Sequence, residues 1–310
     1  MKYFRFHGVI VFVTLAASLT LLFYARPARG QSPSSEKPAG GDQSRVKSTV
    51  LVPKAGNDSA LVAFVPAAAR NAELRTELNW TFGNKQQHGW YLYTSLIKRW
   101  IDTKDDAGSK GFAVALARWQ QKSGLVPSGV LDEESLYAIV AQWQGARIKD
   151  RTPALSEALL TAPTSDYFDS ARLEELRQVE RATYAAYKRM VAAALADRSL
   201  RLAEGPNGQL AAGEKFLKII SSFRSREYQE KLRRESPQAG TAGLAINSPH
   251  FTGRALDLYV GGEPVSTNDA NRALQVQTPV YQWLVKNAER FGFRPYFYEP
   301  WHWEYVGENK

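Results

Sequence analysis

The chain has 310 residues, no cysteine and a formal charge of +9, with 44% hydrophobic and 12% aromatic residues. This composition suits one substantial core plus a smaller domain and excludes a disordered or fibrous chain. The missing cysteines exclude a disulfide framework and a lipid-modified cysteine, so the folded parts must hold by packing and metal alone.

The N-terminus carries Lys2 and Arg5, then an apolar run from Val9 to Tyr24, then Ala28-Arg29-Gly30 with small residues where a signal peptidase reads. Residues 1–30 are therefore expected to be a signal peptide. The alternative is an uncleaved membrane anchor, although the run is shorter than the roughly 20 residues that span a bilayer comfortably. Export places the protein in the periplasm or cell wall, and contact with the membrane is expected only if the leader stays. Residues 1–30 hold four Lys/Arg and no Asp/Glu, so the remainder has 36 basic against 31 acidic residues, or +5. That excess is compatible with an anionic wall polymer and with simple solubility. No basic tract interleaved with aromatics argues for nucleic acid.

Residues 31–70 are expected to be a flexible linker. Up to about Asn57 they are mostly Ser, Pro, Gly, Lys and other polar types, with too few large apolar side chains to offset the cost of ordering. Residues 71–147 are expected to be helical. Trp90-Tyr91-Leu92-Tyr93 with Leu96, Ile97 and Trp100 fit one amphipathic helix, Phe112, Leu116 and Trp119 a second, and Leu136, Ile139, Val140 and Trp143 a third. Gly124 to Asp132 form a turn, with Asp132 as N-cap ahead of Glu133 and Glu134.

The segment from Phe112 to Val140 resembles the peptidoglycan-binding module, a small three-helix domain. Trp119-Gln120, Gly124-Leu125 and Gly129-Val130-Leu131-Asp132 carry the match. The resemblance implies a helical module that holds the chain on peptidoglycan.

Residues 148–205 are expected to be a helical connector, with a long helix around Leu173 to Asp197 and turn chemistry at Gly205-Pro206-Asn207-Gly208. Beyond it, short strands are expected at Phe216–Ser222, Ala255–Val260 and Trp303–Val306, among helices at Arg226–Arg234 and Val280–Phe291. The fold class is α+β, an antiparallel-sheet domain over residues 206–310 preceded by the small helical module.

Past the leader the histidines are His88, read as structural, His250 and His302. His250 precedes Gly253 and a strand on which Ala255, Asp257 and Tyr259 share one face, so it can fold back beside Asp257. Pro300 biases Glu299 to extended backbone, which rules out the helical His-Glu-x-x-His arrangement, and a strand from His302 points His302, Glu304 and Val306 one way. Two imidazoles and a carboxylate match a catalytic zinc site with an open fourth position. Glu299, three residues before a ligand, is then free to handle the water proton, and Arg224 is the cation for an oxyanion or a substrate carboxylate.

Phe216 to Val306 closely resembles the zinc D-alanyl-D-alanine carboxypeptidase and dipeptidase family, related in fold to the signalling domain of hedgehog proteins. Ser222-Phe223-Arg224-Ser225 with Gln229, Ser248-x-His250-x-x-Gly253-x-Ala255-x-Asp257, and Glu299-Pro300-Trp301-His302 carry the match. The resemblance implies one zinc ion on His250, Asp257 and His302, Glu299 as base, Arg224 as transition-state stabiliser and Ser248 as a substrate contact. It implies a monomer that trims peptidoglycan stem peptides ending in D-Ala-D-Ala. An endopeptidase or D,D-dipeptidase of the same fold, or a non-catalytic zinc-stabilised wall-binding protein, are the alternatives. Leu244-Ala245-Ile246-Asn247 and the polar stretch 261–277 depart from the family pattern and bear on the substrate pocket.

Overall fold

A computed structural model of the protein describes residues 62–235 and 245–308. The expected leader and residues 31–61 of the expected linker lie outside these residues. None of the described helices is long and apolar enough to cross a membrane.

The chain is helical earlier than the linker reading allowed. Helix Val65–Glu77 starts with a proline in its first turn and buries Ala67, Ala68, Asn71 and Leu74 on one face, so residues 65–70 are not linker. A hairpin follows, β1 (Asn79–Phe82) and β2 (Lys85–His88), closed by Gly83-Asn84, both at positive φ. Two consecutive left-handed residues match the right-handed twist of paired strands. His88 ends β2 with its side chain exposed.

The three helices expected downstream are present. Thr94–Trp100 follows a 3-10 turn at Tyr91–Tyr93, Lys110–Lys122 is capped by Ser109, and Glu133–Gly145 is capped by Asp132, whose Oδ1 accepts from the Ser135 amide at 2.9 Å. The region thus holds four helices and a hairpin rather than three helices. Gln120 and Asn71 account for the turn before the last helix. Buried Gln120 donates to Val130 O and accepts from Gly129 N, while Asn71 donates to Gly129 O and accepts from Leu131 N. Two amides from different helices thereby satisfy a buried turn that has no ladder of its own.

The stretch expected to be a helical connector contains two strands, β3 (Leu159–Thr161) and β4 (Gln178–Glu180), paired antiparallel. The long helix runs from Arg181 to Ala196 and not from about Leu173. Pairing with β3 draws residues 178–180 into extended backbone, and Glu180 caps the helix by accepting from Thr183 N at 2.7 Å.

The central sheet has four strands, β5 (Ile219–Ser221), β6 (Ala255–Leu258), β7 (Phe293–Pro295) and β8 (His302–Tyr305), in the order β5-β6-β8-β7 with every pair antiparallel. Helices Arg226–Glu235, Asp269–Gln277 and Pro279–Asn287 accompany it. All four residues of β6 are buried, as expected of a central strand covered on both faces. The fold is α+β.

The helical region and the sheet share one hydrophobic core. Phe297, in the loop between β7 and β8, is its meeting point. Its ring lies 4.8 Å from Phe82, 5.3 Å from Tyr93, 5.6 Å from Trp143 and 6.5 Å from Trp80, all contributed by the helical region. Arg272, buried among these groups, donates to Tyr93 Oη and to the Tyr298 carbonyl. Phe297→Ala would leave a cavity between the two halves and is expected to cost about 3–5 kcal/mol. Denaturant unfolding followed by tryptophan fluorescence should show one transition moved to lower concentration, whereas two separated transitions in the parent protein would show that the halves fold independently.

Candidate metal centre and active site

Strand pairing sets the first two functional side chains opposite each other. Asp257 in β6 is flanked by Ser221 in β5 and His302 in β8. Residues directly opposite on antiparallel strands bring their Cβ atoms to about 5 Å, close enough for side chains to share a ligand.

His250 arrives from a 3-10 turn, Pro249–Thr252, just before β6. Ser248 caps this turn, its Oγ accepting from His250 N, and Thr252 Oγ1 closes it by donating to Pro249 O at 2.7 Å. Gly253 then reverses the chain at φ +66°. A Cβ there would stand 2.8 Å from Leu159 Cδ2 and 3.0 Å from Glu180 N, so the turn rests directly on the β3–β4 pair. Two bonds lock it to the end of β5. Arg224 N donates to His250 O at 3.2 Å, and His250 Nδ1 lies 2.7 Å from the Ser222 carbonyl.

His302 opens β8. The loop before it folds tightly, with Glu299 N donating to Tyr296 O, His302 N to Glu299 O and Tyr296 N to His302 O. This turn carries Glu299 back to the head of the sheet.

The tautomers follow from the acceptors around each ring. A carbonyl cannot donate, so His250 Nδ1 carries the proton toward Ser222 O, and its Nε2 lone pair faces Asp257 Oδ2 at 3.3 Å. His302 Nε2 lies 3.1 Å from Glu304 Oε1 and Nδ1 lies 2.9 Å from Asp257 Oδ1. With the Nε2 proton directed at Glu304, the Nδ1 lone pair faces Asp257. Two nitrogen lone pairs and a carboxylate therefore converge in a buried space, with ligand atoms all within 4.8 Å of one another. Such a donor set is compatible with a metal ion, and its two imidazoles and one carboxylate fit the ligand types of zinc.

The electrostatics agree. Burial holds His250 down to about 4, opposed by Asp257. For Asp257 burial alone would raise the pKa, but the two histidines outweigh it and hold the carboxyl well below the usual range. His302 goes the other way: burial is outweighed by its hydrogen bonds to Asp257 and Glu304, and it is pushed up to about 9.

Glu299 is almost wholly buried and its Oε1 has no hydrogen-bond partner among the described residues. Burial raises its pKa to about 7, helped by Asp257 and opposed by His302, Arg147 and Arg224. A buried carboxylate left unpaired costs free energy, and such groups concentrate where chemistry needs them. Arg224 donates through Nε to Ser221 Oγ at 3.0 Å and through Nη2 to Asp257 Oδ2 at 3.1 Å. It is thus tied to a ligand carboxylate, with its remaining donors uncommitted by these two bonds.

The structure brings together His250, Asp257 and His302, with Arg224 bonded to Asp257 and Ser248 beneath His250. Buried Gln229 donates to Ala245 O. Sequence reasoning placed Glu304 on the His302 side of β8 without giving it a task, and it missed Arg147, which binds Glu304 from the end of helix Glu133–Gly145. Alternation along a strand is the signal for Glu304. No local signal points to Arg147, 157 residues away.

Residues 177–308 match the family model described as VanY, D-alanyl-D-alanine carboxypeptidase. The matched stretch starts just before β4 and the long helix. No curated protein gives a significant match. Among solved structures, that described as "Structure of the LdcB LD-carboxypeptidase reveals the molecular basis of peptidoglycan recognition" aligns at 21% identity and a TM-score of 0.36, over 52% of this chain and 72% of that one.

Zinc added to chelator-stripped protein is expected to bind at about one ion per chain and to raise the melting temperature. Binding near pH 7.5 should release a proton, since His302 with a pKa of about 9 holds one that the cation displaces. Calorimetry in buffers of different ionisation enthalpy measures this release. His302→Ala should abolish both the stabilisation and the proton release.

Proposed function

We propose that the protein is a zinc-dependent D-alanyl-D-alanine carboxypeptidase that trims peptidoglycan stem peptides in the cell envelope. The observation that carries this reading is the buried carboxylate of Glu299, whose Oε1 has no hydrogen-bond partner among the described residues, near the place where His250, Asp257 and His302 converge. A purely structural zinc site is closed by a fourth protein ligand and has no use for a neighbouring proton acceptor. The VanY match supports the choice of reaction class.

His250, Asp257 and His302 would hold the zinc ion, which when bound would lower the pKa of a water and polarise the scissile carbonyl. Glu299 accepts a proton from the attacking water and returns it to the leaving D-alanine amine. Its pKa near 7 suits both steps, since it gives up and regains a proton with little cost near neutral pH. Burial keeps bulk water from competing and strengthens each charge interaction. Arg224, fixed by Ser221 and Asp257, presents its free guanidinium edge to the oxyanion or to the terminal carboxylate of the substrate. Ser248 accepts the His250 amide and keeps its own hydroxyl proton for a substrate carbonyl. The helical region resembling a peptidoglycan-binding module would keep the enzyme on its polymer and raise the local substrate concentration.

Glu299→Gln preserves size and removes the base. Turnover of a stem pentapeptide should fall by roughly two orders of magnitude or more while zinc stays bound. In the parent enzyme kcat/KM should rise with pH as Glu299 ionises. The acid limb should lie at or below about 7, because a nearby cation favours the charged carboxylate. A Gln variant with normal turnover would remove Glu299 from the mechanism.

Arg224→Lys keeps the charge and loses the planar fork. If Arg224 reads the terminal carboxylate, the loss should appear mainly in KM and disappear for C-terminally amidated substrates. An equal loss in turnover for every substrate would assign it to the transition state, and cleavage of internal bonds in muropeptides, read by mass spectrometry, would mark an endopeptidase.

A further inference from the structure

The junction after helix Glu133–Gly145 reaches 157 residues along the sequence to the metal centre. Arg147 donates through Nε to Glu304 Oε1 at 3.0 Å and makes a second, short contact to the same oxygen through Nη2. The Ile148 amide donates to Glu304 Oε2 at 2.9 Å. Glu304 is fully buried, and Oε1 also faces His302 Nε2 at 3.1 Å. Arg147 is held in turn by Gln144, which accepts from Nη1 at 2.8 Å, and by the Tyr296 ring, 3.9 Å from its guanidinium carbon. Tyr296 also packs edge-on against His302.

Among the described residues, the Glu304 carboxylate is bonded by His302, Arg147 and the Ile148 amide. The carboxylate sits at 0% exposure, where an anion without a counter-charge is expensive, and Arg147 supplies that charge. The geometry points to Arg147 and the Ile148 amide as positioning groups for the metal centre. They fix the Glu304 carboxylate, Glu304 holds the His302 ring with its Nε2 proton outward, and Nδ1 is left aimed at Asp257. The helical region upstream of the stretch that matches VanY thus completes the outer shell of the metal site in addition to any hold on the wall. This rests on the zinc peptidase reading, because a positioned Nδ1 matters only if a cation uses it. Outer-shell partners of histidine ligands orient the ring and raise its basicity, and losing one typically weakens metal affinity by about 10–100-fold.

The test uses the full chain. Arg147→Met keeps most of the side-chain volume and loses every donor, whereas Arg147→Lys keeps the charge and loses the fork. Zinc affinity is measured by chelator competition, the ligand field by the visible spectrum of the cobalt-substituted protein, and kcat and KM on a soluble pentapeptide. Arg147→Met should bind zinc roughly 10–100-fold more weakly, show altered cobalt bands and lose kcat with KM little changed, and Arg147→Lys should recover part of each. A folded Arg147→Met with parental zinc affinity and cobalt spectrum overturns the inference. Should Arg147→Met fail to fold, Arg147→Lys decides, and parental affinity and spectrum in that variant overturn the inference equally. A parent protein that binds zinc and cleaves peptide beside an unaffected variant removes this inference alone; a parent that does neither removes the proposed function.

Discussion

The pairing of β6 with β8 that sets Asp257 opposite His302 is the constraint on which the rest of the molecule depends. It buries a carboxylate and an imidazole side by side in the centre of a sheet, where neither is stable alone. Everything around the pair compensates for that burial. Arg224 approaches Asp257 from the end of β5, His250 is brought in on a capped turn, and Glu304 takes the far side of His302. Two arginines and two carboxylates, Arg224 with Asp257 and Arg147 with Glu304, balance one another there. What stays uncompensated is the set of lone pairs aimed inward, and that is the candidate site for a cation.

The loop between β7 and β8 links this chemistry to the core. Within four residues it places Tyr296 between His302 and Arg147, Phe297 among the aromatics of the helical region, Tyr298 against Arg272, and Glu299 at the metal centre. A loop anchored by three buried rings and by the Glu299 backbone bonds has few alternative conformations, so the side chain is held without a hydrogen bond to Oε1 among the described residues. Its free oxygen follows from this arrangement: the rings supply the positioning that partners usually supply, and the carboxylate stays available for a proton. The same anchoring explains why the helical region and the sheet have one core. Phe82, Tyr93 and Trp143 bury Phe297, and the Arg147 that follows helix Glu133–Gly145 is set by that packing.

Much of this was legible in the amino-acid sequence, and the legible parts have a common cause. Helical spacing gave Lys110–Lys122 and Glu133–Gly145, with Asp132 as cap, because a 3.6-residue period and a short polar cap act within one turn of chain. Scarce histidines in polar company, the Gly253 turn, and the alternation Asp257/Tyr259 and His302/Glu304 pointed to the three side chains that the fold brings together, His250, Asp257 and His302, since strand alternation fixes which side chains share a face. Where sequence reading erred, a partner remote in the chain prevailed. Residues 178–180 left the expected helix to pair with β3, and residues 65–70 joined a helix whose Asn71 satisfies the Gly129–Leu131 turn.

The sequence by itself therefore determined the elements and the types of groups at the site, through periodicities, caps and turn residues that operate over a few residues. Only the tertiary structure decided which nitrogen of each histidine faces Asp257, that Arg224 is bound to Asp257, and that the helical region shares one core with the sheet and binds Glu304 through Arg147. Tautomers are set by the acceptor each ring meets, and buried charges by the counter-ion that packing delivers. In this chain those partners come from residues as far apart as 147 and 304, a separation that no local pattern encodes.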